Sequence, residues 1–184
     1  MKVRYQIKEF PFQHPFRISK GIKSVQRTLI VELEHFGYKG YGEAPEIAYY
    51  HITAEQMAED IERKRPFLEK FTFTDPERYW HYLHHLFPQN SFLVCALDMA
   101  GWDIYGKMKR MPLYDIWKLD TAHSPLTDFT IGIDEAEVMI AKIQEKPWPI
   151  YKVKVGFDGD METLAALRKQ TYAKIRVDAN AAWT

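Results

Sequence analysis

Hydrophobic and polar positions alternate with period 2 near the start of the chain and again towards its end, and recur at helical spacing between. Val3, Tyr5 and Ile7 alternate with Lys2, Arg4, Gln6 and Lys8. Residues 28–34 form a β-rich run, and Gly37-Tyr38-Lys39-Gly40 supplies a turn into Tyr41-Gly42-Glu43. An antiparallel meander with one buried face over residues 1–45 accounts for this pattern. Residues 15–23 are polar and contain Gly21, which predicts a long loop between the first two strands.

Residues 53–118 predict helices. Thr53 is an N-cap with Gln56 at the capping-box position, for a helix over 54–64 that Pro66 interrupts or bends. Asp75-Pro76-Glu77 starts a second helix carrying Trp80, Leu83 and Phe87 at helical spacing. His81, His84 and His85 on that helix have metal-compatible spacing but no accompanying carboxylate or cysteine, the usual state of a surface histidine cluster. Asn90-Ser91 caps a strongly apolar helix over 92–107, where Ala96, Ala100 and Gly101 permit close helix packing.

After a linker over 119–126 the pattern becomes β-α-β-α-β, which implies a parallel sheet. Strands are predicted over 127–133, 151–155 and near 175–178. The helix over 135–145 carries Val138, Met139 and Ile143, and the one over 161–170 turns Leu164, Ala165 and Leu167 inward. In the second strand Lys152 and Lys154 share one face, and Val153 and Val155 share the other. Two ammonium groups on one face repel, and a lysine whose charged form is disfavoured is a usable proton acceptor. Asp178 lies 24 residues beyond Lys154, room for a crossover that brings it to the same carboxyl edge, where barrel enzymes place their chemistry. Taken alone, paired lysines on a strand are ordinarily a solvated face, and Asp-Ala-Asn after a strand is ordinarily a turn.

Composition narrows the classes. The 184 residues have a formal net charge of zero and a sequence pI near 7.1, so nothing electrostatic favours nucleic acid or an anionic membrane. A single cysteine, Cys95, excludes an intrachain disulfide and fits a reducing compartment. The first residues lack a signal-peptide pattern, and the longest apolar stretch, 92–100, contains Asp98 and is far too short to span a bilayer. A cytoplasmic protein is expected.

Several motifs together carry a resemblance. Lys-Val-Lys-Val-Gly at 152–156 and Arg-Val-Asp-Ala-Asn-x-x-Trp at 176–183 resemble the second and third barrel strands of the enolase superfamily, in its muconate-lactonizing subgroup and most nearly the dipeptide (L-Ala-D/L-Glu) epimerases. Pro15-Phe16, Gly42-Glu43-Ala44-Pro45, and Ala96-Leu97-Asp98-Met99-Ala100-Gly101-Trp102-Asp103 with Gly106-Lys107 resemble that superfamily's capping domain. The resemblance implies an α+β capping domain over 1–118. It also implies the first three strands of a (β/α)8-type barrel over 119–184, with the 15–23 loop folded over the barrel mouth to help choose substrate.

The function implied is Mg²⁺-dependent epimerisation of a dipeptide, by abstraction of the proton α to a carboxylate through an enolate. By resemblance Lys154 is the acid/base and Lys152 its electrostatic partner. Asp178 is one metal ligand, Asn180 a group supporting it, and Thr130 a substrate contact. The partner is a small-molecule dipeptide, with no nucleic acid and no membrane, and a homo-oligomer is left open. The alternatives are a muconate cycloisomerase or o-succinylbenzoate synthase-like enzyme and, in another class, a non-catalytic fragment or interaction module. A closed barrel takes ~250 residues. The family's other two metal carboxylates, its second lysine and its acidic C-terminal motif have no counterpart in these residues. The expectation is therefore the N-terminal part of a longer isomerase with an incomplete barrel. By itself the chain is expected to be inactive and to bind Mg²⁺ weakly, since one carboxylate cannot satisfy octahedral ligation.

Overall fold

The computed structural model describes residues 1–183. Three strands, β1 (Lys2–Ile18), β2 (Gly21–His35) and β3 (Tyr38–Pro45), form one sheet in that order. Two helix groups and a second, parallel sheet follow. Among the described residues no helix is long and apolar enough to cross a membrane.

The expected long loop after the first strand is absent. β1 runs to Ile18 and β2 starts at Gly21, so a ribbon with a two-residue turn replaces it. Phe10, Phe12, Phe16 and Ile18 continue the period-2 alternation, and Pro11 and Pro15 are tolerated because β1 is an edge strand. The next turn also differs from expectation. It is Phe36-Gly37, both at positive φ (48° and 81°), the geometry favoured by a two-residue hairpin, and Tyr38 to Gly40 already belong to β3.

Leu29, Val31 and Leu33 of β2 stand opposite Ala44, Gly42 and Gly40 of β3 and are fully buried. Large residues on one strand thus face small ones on the next. The vacated space holds helix α3 (Ser91–Lys109). A methyl group on Gly42 would lie 1.9 Å from the carbonyl oxygen of Ala96, and one on Gly40 would lie 2.1 Å from that of Ala100. Ala96 and Ala100 therefore permit approach to a strand rather than to another helix, whereas Gly101 does meet a helix, at the ring of Tyr79.

Helix α1 (Ala54–Lys70) begins with the full capping box between Thr53 and Gln56. It continues past Pro66, which is exposed, while Ile61 and Leu68 anchor both sides in the core. In α2 (Pro76–Leu86), capped by Asp75, Tyr79 and Leu83 are buried and Trp80 is exposed. Of the expected trio Leu83 and Phe87 are buried, and only Trp80 is not. A single-turn helix, α4 (Leu113–Ile116), follows Pro112.

The parallel sheet has the order β4 (Phe129–Ile131), β5 (Ile150–Lys154), β6 (Lys174–Asp178), with α5 (Ala136–Glu145) and α6 (Asp160–Arg168) as the crossovers. Ile131, Tyr151, Val153 and Val155 pack with Met139, Ile143 and Leu167 of the helices. Val138 and Ala165, expected to face inward, are exposed. The Tyr151 hydroxyl donates to the Lys146 carbonyl (2.9 Å) and accepts from the Trp148 amide (2.8 Å), tying the end of α5 to β5. Contacts divide the chain into two compact units. One comprises Met1–Phe10 and Gln26–Ala122; the other comprises Pro11–Val25 and His123–Thr184, so the tip of the β1–β2 ribbon belongs with the parallel sheet.

Candidate active site

Lys154 is the last residue of β5 and Asp178 the last of β6, and the two are paired in the parallel register. One rank below, Thr130, Lys152 and Arg176 stand side by side on β4, β5 and β6. Alternation turns all of these away from the valine face that packs on the helices. Lys154 is only 8 % exposed, whereas Lys152 and Asp178 are half-buried and Arg176 is exposed, so burial is confined to the lysine at the strand end. Its ammonium donates to Asp178 Oδ2 at 2.8 Å and to Asn180 Oδ1 at 2.9 Å. The Lys152 ammonium reaches the same Asp178 oxygen at 2.9 Å. The sequence anticipated two lysines repelling each other; the structure places a carboxylate between them, which offsets that repulsion.

Asp178 answers to both cations. The Lys154 hydrogen bond, then that of Lys152, then the Asn180 backbone amide hold its carboxyl well below the ordinary carboxylate range. A group depressed in the folded state stabilises the fold above its unfolded value, near 4, and loses that contribution as pH falls towards the folded value. Urea midpoints of the wild type should therefore drop below about pH 4 more steeply than those of Asp178→Asn. Parallel curves for the two proteins would refute this.

The segment after β6 is indeed a turn, and a strained one. Asn180 and Ala181 have φ of 49° and 60°, sparsely populated for non-glycine residues. Three contacts hold it. The Asn180 amide donates to Asp178 Oδ1 at 2.9 Å. Gly156, at φ +102°, lies so close that an added methyl would sit 2.5 Å from the Ala182 side chain. Asp160 Oδ2 accepts from both the Gly156 amide (3.1 Å) and the Trp183 indole (2.9 Å). The turn thereby aims the Asn180 oxygen at Lys154. Asp160, Trp183 and Gly156 carried no role in the sequence reading; Gly156 directly after the lysine strand was the available signal.

The ribbon tip reaches the same edge. The Ile133 amide donates to the Arg17 carbonyl at 2.9 Å, and Ser19 Oγ donates to the Ala179 carbonyl at 3.3 Å. Gly132 has the Arg17 backbone 3.1 Å from where its Cβ would stand. Thr130 lies on the lysine face but also borders a cleft of about 290 Å³ with Phe16, Lys142 and Glu145. Neither lysine lines that cleft, so it is not the place where a base meets substrate.

The donor set suits a hard divalent cation in kind. Asp178 offers anionic oxygen, the ligand type that Mg²⁺ prefers. Among the described residues, however, no group of three or more His, Cys, Asp or Glu side chains could hold a metal. The described residues therefore do not by themselves make up a metal site.

Comparison with known proteins is consistent along the chain. Residues 2–117 match the mandelate racemase / muconate lactonizing enzyme N-terminal domain. An L-Ala-D/L-amino acid epimerase of Maribacter sp. is 46% identical over 172 residues, covering 94% of this chain and 51% of that relative. Another, from Flavobacterium johnsoniae, is 40% identical over 183 residues, covering 100% of this chain and 54% of the relative. A dipeptide epimerase of Methylococcus capsulatus, solved with Mg and the dipeptide L-Arg-D-Lys, superposes with a TM-score of 0.87 at 27% identity, covering 100% of this chain and 54% of that one. The chain spans about half the length of the curated relatives it matches.

Proposed function

The chain belongs to the mandelate racemase / muconate lactonizing enzyme family, and from that premise we propose that it forms part of an isomerase that epimerises dipeptides by removing and returning the proton α to a carboxylate. The observation that carries the reading is the convergence of Lys154 and Lys152 on Asp178 at the carboxyl edge of a parallel sheet. The epimerase relatives supply the substrate class, and a Mg-bound neighbour supplies the metal.

In this reading Lys154, as the neutral amine, takes the proton and becomes the ammonium. Its burial limits the number of orientations it samples, and Asn180 and Asp178 hold its Nζ at the strand end. Lys152 lies one rank deeper, opposite Thr130, and adds positive charge beneath the carbon that becomes electron-rich. Asp178 would contribute one oxygen to Mg²⁺, which when bound would offset negative charge on the substrate carboxylate. Thr130 contacts the substrate from β4. Return of the proton to the opposite face inverts the centre. A cytoplasmic setting belongs to the same reading, supported by the single cysteine.

The test is isotope exchange. The active enzyme carrying these residues, incubated in D₂O with Mg²⁺ and L-Ala-L-Glu or L-Ala-D-Glu, should place deuterium at the glutamate α-carbon and interconvert the two. Lactonisation of a muconate without dipeptide exchange would replace this reading with the cycloisomerase one. Absence of exchange with either class would favour a non-catalytic module.

A further inference from the structure

Five charged side chains share the polar face of the parallel sheet: Asp128, Lys152, Lys154, Arg176 and Asp178. The pairing among them is selective. Both lysines bond to Asp178, whereas the Arg176 guanidinium donates from Nη1 to both oxygens of Asp128, at 2.9 and 3.0 Å. Arg176 stands opposite Lys152 in the register, and Asp128 precedes β4 on the far side of β5. The arginine therefore crosses the sheet beneath Lys152 to find its partner.

A nearer carboxylate exists. Asp178 is two residues along the same strand and on the same face, roughly 6.6 Å away at the Cα level, within reach of an arginine side chain. A guanidinium is the stronger competitor for a carboxylate, since its planar fork can offer both oxygens parallel bonds from two nitrogens in a fixed geometry that an ammonium lacks. A bidentate arginine on Asp178 would displace the lysines and occupy the oxygens that a metal needs.

We infer that Asp128 is a positioning residue that sequesters Arg176 so that Asp178 stays available to Lys154, Lys152 and a divalent cation. The part concerning the cation rests on the proposed function. The part concerning the lysines does not. Asp128 accepts from Arg176 with both carboxylate oxygens, so it acts on Asp178 through Arg176.

The experiment has two arms. In crystals of the active enzyme carrying Asp128→Ala, the Arg176 guanidinium should be found on Asp178. A guanidinium left in solvent, with both lysines still on Asp178, would overturn the inference. In solution, Mn²⁺ binding followed by electron paramagnetic resonance should weaken on the order of tenfold in Asp128→Ala and recover in Asp128→Ala/Arg176→Met. An unchanged single variant, or a loss that the second substitution does not repair, would show that Asp128 has no such role. If the unsubstituted enzyme bound no Mn²⁺, the metal reading would fail, and the crystallographic arm would still decide whether Asp128 guards Asp178.

Discussion

Replacing Gly42 by alanine is expected to unfold the unit built on the β1–β2–β3 sheet. The added methyl would lie 1.9 Å from the Ala96 carbonyl oxygen and 2.8 Å from its carbonyl carbon. Both atoms are α3 backbone, so no side-chain rotation relieves the clash. Either α3 lifts away from β3 or β3 leaves its register. Lifting α3 uncovers Leu93, Leu97 and Ile104, all fully buried. Slipping β3 by one residue would turn its small face outward. Overpacking commonly costs about 1–3 kcal/mol, and this case has no flexible neighbour to absorb it. Against a typical domain stability of about 5–15 kcal/mol, a cost of about 3 kcal/mol or more removes a large fraction. The urea midpoint should fall steeply, with Gly40→Ala behaving alike because its methyl would meet the Ala100 carbonyl at 2.1 Å. A midpoint unchanged in both variants would show that the glycines do not set the strand–helix spacing.

That small face was written in the sequence as Gly40, Gly42, Ala44 at period 2, yet Gly40 read first as part of a turn, because glycine is the commonest turn residue. Other features were plain for the opposite reason. The caps at Thr53, Asp75 and Asn90 are local chemistry, each side chain bonding an amide three residues on, and local chemistry needs no knowledge of tertiary partners. Pro66 left interruption or a bend open, and the helix runs on through it. Trp80 misled because its spacing to Leu83 and Phe87 put it on their face, whereas the core accepted Tyr79 on the adjacent helical position.

The site shows the same division. Lys152 and Lys154 sharing a face follows from strand periodicity, and Asp178 beside Lys154 follows from a crossover of ordinary length. Both were legible. The Asp128–Arg176 pair was not, since it joins β6 to the start of β4 across an intervening strand and depends on the register of all three. The Asp160 bracket on Gly156 and Trp183 was hidden likewise, because it links two loops that meet only once the sheet has formed. The ribbon tip was concealed by its polar residues and Gly21, which read as a loop because a strand exposed on both faces has no buried apolar side to mark it.

In the active enzyme that carries these residues, Lys154→Ala is expected to eliminate exchange of the substrate α-proton from one stereoisomer, whereas Lys152→Ala slows exchange without abolishing it. The argument is positional. Lys154 is the terminal residue of β5 and shares its rank with Asp178. Lys152 lies two residues deeper, roughly 6.6 Å along the strand, with its ammonium already directed upward at Asp178. A base must come within about 3 Å of the proton it removes, and the outer lysine has the shorter approach to a substrate held at the strand ends. Loss of a positioned base typically costs about 10²–10⁴ in rate, and the effect should fall on the stereoisomer whose proton faces β5. Lys152 acts through charge, so its removal weakens stabilisation of the electron-rich carbon for both stereoisomers alike. It also leaves Asp178 with one cation fewer, which makes the carboxylate easier to protonate and should move the acid limb of the rate profile upward. Deuterium incorporation from D₂O, measured for each stereoisomer with each single variant after circular dichroism confirms folding, separates the two roles. Exchange lost from one stereoisomer in Lys152→Ala, with both still exchanging in Lys154→Ala, would reverse the assignment.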